Sequence, residues 1–247
     1  MSKVFELAKF DLSDVVENLL TRAKSFDGDK ASKANLIDPF AAVLESAING
    51  YKSEREWTEA EHQRTRQKNL MNHIGDLQQI IIGKLPGWTS FPSGTGMPDV
   101  VGRRGEQLML CEVKNKHNTM NSNSSAETYD LLADYLTRPE FEGFTAGVVA
   151  VISPVKSDAL FKPFAPAGRK ERKDIVYMPG RVFYAIATDP NERTPFKNIN
   201  PADAISEWES WIAIDLMMKE FWIEIEKQTN FKTPDWIKSL TFQALGE

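Results

Sequence analysis

Apolar positions in the first third of the chain recur at steps of three and four, which predicts helices before any strand. Leu7, Phe10, Val15, Val16, Leu19 and Leu20 mark the first, with Ser13 or Asp14 able to cap its start. A polar break from Ser25 to Lys33 precedes a second helical run, from Asp38 to about Tyr51, carrying Phe40, Val43, Leu44 and Ala47. A third runs from about Thr58 to Ile82. Its Leu70, Ile74, Leu77 and Ile81 form one stripe expected to be buried, flanked by Asn69, Asn72, His73, Asp76 and Gln79.

The period then changes to two. Leu85-Pro86-Gly87-Trp88 ends the third helix, and Pro92 to Gly96 form a loop into GTGMPDVVGRRGEQLMLCEVKNKHNT, Gly94 to Thr119. This stretch predicts a strand, a turn at Arg103 to Glu106, and a second strand through Leu108-Met109-Leu110-Cys111. A polar segment follows through Ser125. Ser124 with Glu127 fits a capping box, so the next helix is expected from about Ala126 to Leu136, ending near Arg138-Pro139. Thr145 to Ser153 is a continuous apolar run that predicts a buried central strand. Past a proline-punctuated region from Pro154 to Pro179, Arg181 to Ala187 reads as a further strand. A last long helix is expected from Pro201 to about Gln228, with Ile205, Trp208, Ile212, Leu216 and Trp222 among its apolar positions and Trp211, Ile214 and Phe221 broadening the stripe. The expected fold is α/β, a mixed central β-sheet flanked by helices. One domain is expected over 1–247, with a helical N-terminal region (1–57), a core (58–190) and a helical C-terminal region (191–247).

Composition narrows the classes. At 247 residues the chain can bury a full core, and it holds no apolar run long enough to span a membrane. The N-terminus has no long apolar segment or small-residue cleavage site of a secretion signal. A single cysteine, Cys111, cannot form an internal disulfide, and with only three histidines a structural zinc cluster is excluded. The expected compartment is the cytoplasm. A net charge of -5 does not announce nucleic-acid binding, so contacts of that kind must come from local patches. Gly168-Arg169-Lys170-Glu171-Arg172-Lys173 is the strongest such patch, diluted by Glu171 and Asp174.

The candidate chemistry lies in the predicted hairpin. Pairing its strands brings Asp99, near the entry of the first, towards Glu112 and Lys114 on the second. Those two are two residues apart and project from one face. Two hard oxygen ligands beside an ammonium suit Mg²⁺. Pro98-Asp99, a short gap, then Glu112-Val113-Lys114 resembles the signature of the PD-(D/E)XK nucleases, the superfamily that includes most type II restriction endonucleases. The resemblance implies a catalytic set of Asp99, Glu112 and Lys114. It also implies a Mg²⁺ site built from Asp99, Glu112 and the carbonyl of Val113. Asp76, on the helix before the hairpin, matches the place where the superfamily often adds an acidic ligand; a solvated flank is the other reading. Asn115-Lys116-His117-Asn118-Thr119 resembles a subset of restriction endonucleases that cut GGNCC-type sites. These residues, with Arg169, Lys170, Arg172 and Lys173, are the expected contacts to double-stranded DNA. A palindromic site would imply a homodimer. A repair or junction-cleaving nuclease of the same fold, and a non-catalytic DNA-binding protein, remain alternatives.

Overall fold

The computed structural model describes residues 11–24, 39–104, 107–116, 119–153, 162–188, 207–237 and 239–240. Described residues up to Val16, together with those from Leu77 onward, form one compact unit, and Glu17–Asp76 form a second. Helix α1 is Ser13–Lys24, α2 is Pro39–Asn49 and α3 is Glu54–Gly83. At the start of α1 it is Asp11, rather than Ser13 or Asp14, whose carboxylate accepts from the Ser13 amide at 3.2 Å. Leu7 and Phe10 lie outside the described residues.

Within Glu17–Asp76, α2 is tied to α3 by polar contacts. Glu45 accepts from Trp57 Nε1 at 3.2 Å and pairs with Arg64 at 2.7 Å. The side of α2 facing α3 is therefore the one bearing Glu45, and Phe40, Val43 and Leu44 are exposed. The apolar stripe expected along α3 is buried only at its C-terminal end. Leu70 is 39% exposed, against 5% for Leu77 and 1% for Ile81, because only the last turns of the helix belong to the sheet-containing unit.

That unit is built on six strands: β1 (Trp88–Ser90), β2 (Val100–Arg104), β3 (Gln107–Lys116), β4 (Thr145–Ile152), β5 (Lys162–Pro163) and β6 (Ile175–Pro179). Their order is β1-β2-β3-β4-β6-β5. β3–β4 and β4–β6 are parallel and the other pairs antiparallel, so the sheet is mixed, as expected. β4 lies at its centre and is buried at every residue but Ile152, which explains its unbroken apolar sequence. Helix α4 (Ser122–Tyr135) follows β3. Its cap is Asn121, whose side chain accepts from the Ser124 amide at 2.9 Å, three residues before the Ser124 cap expected from the sequence.

Two further expectations are corrected. Arg181 to Ala187 is not a strand but the body of helix α5 (Gly180–Thr188), and the strand is the preceding Ile175–Pro179. A short apolar run buried on all sides carries no period that separates helix from strand. Gly180 begins α5 against β4, where a Cβ would stand 2.5 Å from the Val151 backbone. In α6 (Glu207–Thr229) the deeply buried positions are Ile214 and Met217, while Leu216, Phe221 and Trp222 are half-buried. Ile205 lies outside the described residues, as do the side chains of Trp208, Trp211 and Ile212.

The two sheet faces carry different layers. Val101, Leu110, Ala146, Val148, Ala150 and Tyr177 pack with Tyr129, Leu132 and Tyr135 of α4 into one apolar cluster. With a period of two, Met109, Cys111, Val149 and Val151 face the other way. On that side Phe183 of α5 meets Trp88 edge-on, ring centres 4.8 Å apart, and the Tyr184 hydroxyl donates to Gln78 at 3.1 Å. Gly180→Ala would drive a methyl into backbone that cannot move aside, and should cost about 1–3 kcal/mol. Urea unfolding of the two proteins measures it; equal midpoints would contradict the packing described.

Candidate active site

β2 and β3 set the site. Val100 pairs with Cys111 and Val101 with Leu110. One step beyond that ladder, Asp99 comes opposite Glu112, and opposed residues of an antiparallel pair share a face. Asp99 Oδ2 accepts from the Val113 amide at 2.8 Å, which fixes the carboxylate against β3 just where the ladder ends. Glu112 and Lys114 are on one face by the strand period, and Lys114 Nζ lies 3.2 Å from Glu112 Oε2. Their parallel neighbours on β4 are Val148 and Ala150, both fully buried. Two carboxylates and one ammonium thus stand at the edge of the apolar face covered by α4. The Glu112 side chain is 10% exposed and that of Lys114 26%.

The electrostatics follow from this placement. Burial raises the Glu112 pKa above the ordinary glutamate value, the Asp99 charge adds to the rise, and Lys114 opposes it. Burial also pushes the Cys111 thiol well up, with Glu112 and Asp99 contributing; fully buried on the opposite face, it is a packing residue. Tyr135 of α4 is raised first by burial and next by the Glu112 charge, so the field of the carboxylates reaches that helix. Two carboxylates that repel each other, with Lys114 beside Glu112, make a cluster of hard oxygen donors that would suit a dication. Among the described residues no group of three or more His, Cys, Asp or Glu could hold a metal. An ion here would complete its shell with water and backbone carbonyl, and Mg²⁺ suits that donor set.

The other residues singled out in the sequence are distributed as follows. Asp76 belongs to the Glu17–Asp76 unit, where Arg22 Nη2 lies 2.9 Å from its carboxylate. His73 Nε2 lies 3.1 Å from Asn69 Nδ2, a bond within one helix. Asn115 and Lys116 end β3, and by the strand period Asn115 projects away from the face of Glu112 and Lys114. Its Oδ1 is buried with no hydrogen-bond partner among the described residues. Thr119 turns its hydroxyl back to the Lys116 carbonyl at 2.8 Å. His117 and Asn118 lie outside the described residues.

In the basic patch both arginines meet carboxylates of this chain. Arg169 forks onto Asp130 of α4, with Nε at 2.6 Å from Oδ1, and Arg172 forks onto Asp174 at 2.8 and 2.6 Å. The Tyr129 hydroxyl donates to the Lys170 carbonyl at 2.5 Å, so the patch is docked on α4. Lys170 and Lys173 are exposed. Tyr135, an apolar helix position in the sequence, stands within the field of Glu112.

A family model described as Eco47II restriction endonuclease matches residues 7–201. The chain is 33% identical over 199 residues to the type II restriction enzyme Eco47II of Escherichia coli, a match covering 76% of this chain and 80% of that protein. It is also 33% identical over 129 residues to the type II restriction enzyme Sau96I of Staphylococcus aureus, covering 51% of this chain and 48% of that one.

The raised pKa of Glu112 makes a prediction for the metal-free protein. The native state holds the Glu112 proton to higher pH than the unfolded chain does, so stability falls as pH rises through and above the ordinary value of 4.5. Glu112→Gln removes that penalty. In EDTA the variant should melt above the parent at pH 7, and the gain should shrink towards zero as pH is lowered to about 4. A gain independent of pH would place its origin elsewhere than in this carboxylate.

Proposed function

Because the chain belongs to the Eco47II restriction endonuclease family and is a type II restriction endonuclease, we propose that Asp99, Glu112 and Lys114 are its catalytic residues. The observation that supports this most directly is the end of the β2–β3 ladder. There the Asp99 carboxylate meets the Val113 amide, and Glu112 and Lys114 share the same face.

On this reading Asp99, Glu112 and the Val113 carbonyl hold Mg²⁺. When bound, Mg²⁺ offsets charge gathering on the attacked phosphate and makes water a better nucleophile at neutral pH. Lys114 holds the attacking water and, as an ammonium, stabilises hydroxide as it forms. Burial of Glu112 and partial burial of Lys114 limit competing solvent, so their charges act at greater strength than in water. In-line attack forms the new P–O bond and breaks the bond to the 3′ oxygen, which takes a proton. The products are a 5′-phosphate and a 3′-hydroxyl.

DNA contacts fall to Asn115, Lys116, His117, Asn118 and Thr119, which follow Lys114 along the chain, and to the 169–173 patch. Within that patch, Lys170 and Lys173 are the better phosphate contacts, since Arg169 and Arg172 already hold Asp130 and Asp174. The KNKHNT string supports a short G/C-rich site of the GGNCC type. Cutting both strands of such a near-palindrome suits a homodimer with one active site per subunit, working in the cytoplasm. No helix among the described residues is long and apolar enough to cross a membrane.

Digestion of a mixed-sequence duplex with Mg²⁺ or EDTA, followed by end sequencing, tests the proposal. Discrete Mg²⁺-dependent fragments sharing one GGNCC-like motif with 5′-phosphate ends are expected. Nicks without common sequence would overturn the specificity proposed. Asp99→Ala and Lys114→Ala should each lower cleavage by about 10²- to 10³-fold while much DNA binding persists, as charge-stabilising groups do when removed. Wild-type cleavage rates in either variant would remove that residue from the mechanism.

A further inference from the structure

Asp99 is reached through a loop whose Pro92 to Gly96 are all exposed. Between Ser90 of β1 and Val100 of β2 the chain passes Gly94 and Gly96, with φ of +83° and +71°, a backbone region that favours glycine. A Cβ built on either glycine would find nothing within 4 Å, so Gly94 and Gly96 face open space, whereas Pro98, next to Asp99, is buried. Two hydrogen bonds close the loop on itself: the Phe91 amide to the Asp99 carbonyl at 3.0 Å, and the Thr95 hydroxyl to the Pro92 carbonyl at 2.8 Å. Met97 rests against the apolar cluster under α4.

Among the described residues, one side chain from outside hydrogen-bonds to the glycine segment. Arg138 Nη1 donates to the Gly96 carbonyl at 2.8 Å. The rest of the guanidinium is itself fixed. Nη2 and Nε lie 2.8 and 3.2 Å from Asp134 Oδ2, and the group sits 4.6 Å above the Tyr135 ring. Tyr135 is 3% exposed and belongs to the cluster that includes Leu110, two residues before Glu112. A planar fork with several donors can hold Asp134, Tyr135 and Gly96 at once, which a lysine cannot do.

We propose that Arg138 is a positioning residue for the cleavage site, tying the Gly94–Gly96 loop to α4 and so setting where the Asp99 carboxylate stands relative to Glu112. The inference rests on the reading of Asp99 and Glu112 as metal ligands. Two glycines give the loop wide conformational freedom, and Arg138 removes much of it at the position three residues before Asp99. The tether acts on the carboxylate through the backbone.

The test uses the full chain and two readouts. The first is Tb³⁺ binding without DNA, followed by luminescence sensitised by nearby aromatic rings, with Asp99→Ala as the blank for other acidic sites. The second is single-turnover cleavage with Mg²⁺. Arg138→Ala should bind Tb³⁺ about tenfold more weakly and cut about 10- to 100-fold more slowly, the scale that misplacement by an ångström produces. DNA affinity measured in Ca²⁺ should change by less than about threefold. Arg138→Lys keeps the charge without the fork and should fall between parent and alanine variant; it also serves if the alanine variant does not fold. A lower melting temperature with parental Tb³⁺ affinity and cleavage rate would make Arg138 a stabilising residue only, and overturn the inference. If the parent neither cuts nor loses Tb³⁺ binding on Asp99→Ala, the reading of the metal site fails and the inference with it. Loss in Asp99→Ala but not in either Arg138 variant removes Arg138 alone.

Discussion

The pairing register of β2 with β3 is the constraint on which the rest of the site depends. It places Asp99 opposite Glu112, lets the Asp99 carboxylate accept from the Val113 amide, and puts Lys114 on the same face. A slip of one residue would turn Glu112 and Lys114 to the side of Cys111, and Leu110 away from its cluster. The register is therefore locked by apolar burial as well as by the ladder. Val101 and Leu110 must face α4, and Val100 and Cys111 must face the other layer. The same alternation that fills the core aligns the charges at its edge.

That alignment sets two demands against each other. A half-polar strand end near solvent would hold carboxylates cheaply, yet the Glu112 side chain is nearly buried beside Asp99, with Lys114 as the close cation. Burial without full compensation raises the energy of the ionised glutamate in the metal-free chain. On the proposed reading, a bound dication would offset that energy. Neighbouring Val148 and Ala150 on β4 supply no polar partner that would relieve the strain in another way. Small and apolar neighbours are what an electrostatic site of this kind requires.

Helix α4 does more than cover the sheet. Asp130 holds Arg169, Tyr129 holds the Lys170 carbonyl, and Asp134 and Tyr135 hold Arg138, which in turn holds Gly96. Two loops distant in sequence are thus fastened to one helix that packs beside Glu112. The arginines that look in sequence like a cationic surface serve partly as fasteners, because each finds a carboxylate of its own chain. Charge in a sequence counts residues; charge on a surface counts what internal pairing leaves over.

Much of this was legible in the sequence. The short apolar run Leu108 to Cys111, the Pro-Asp and Glu-x-Lys spacing and the unbroken apolar run of β4 pointed to a mixed α/β sheet and to the neighbourhood of Asp99, Glu112 and Lys114. Local covalent spacing decides those features, since residues two apart on a strand share a face whatever surrounds them. Other features had no local signal. Arg181 to Ala187 read as a strand because a run buried on every side has no period, and only its seat against β4 and α6 makes it a helix. The apolar Phe40, Val43 and Leu44 of α2 are exposed, since Glu45, which binds Trp57 and Arg64, marks the side that meets α3. Arg138 looked like a helix end until the fold brought Gly96, 42 positions earlier, within hydrogen-bonding distance. Alternation along a strand is written in the chain itself; which distant carbonyl or carboxylate completes a side chain's bonding is decided only when the tertiary structure brings the two together.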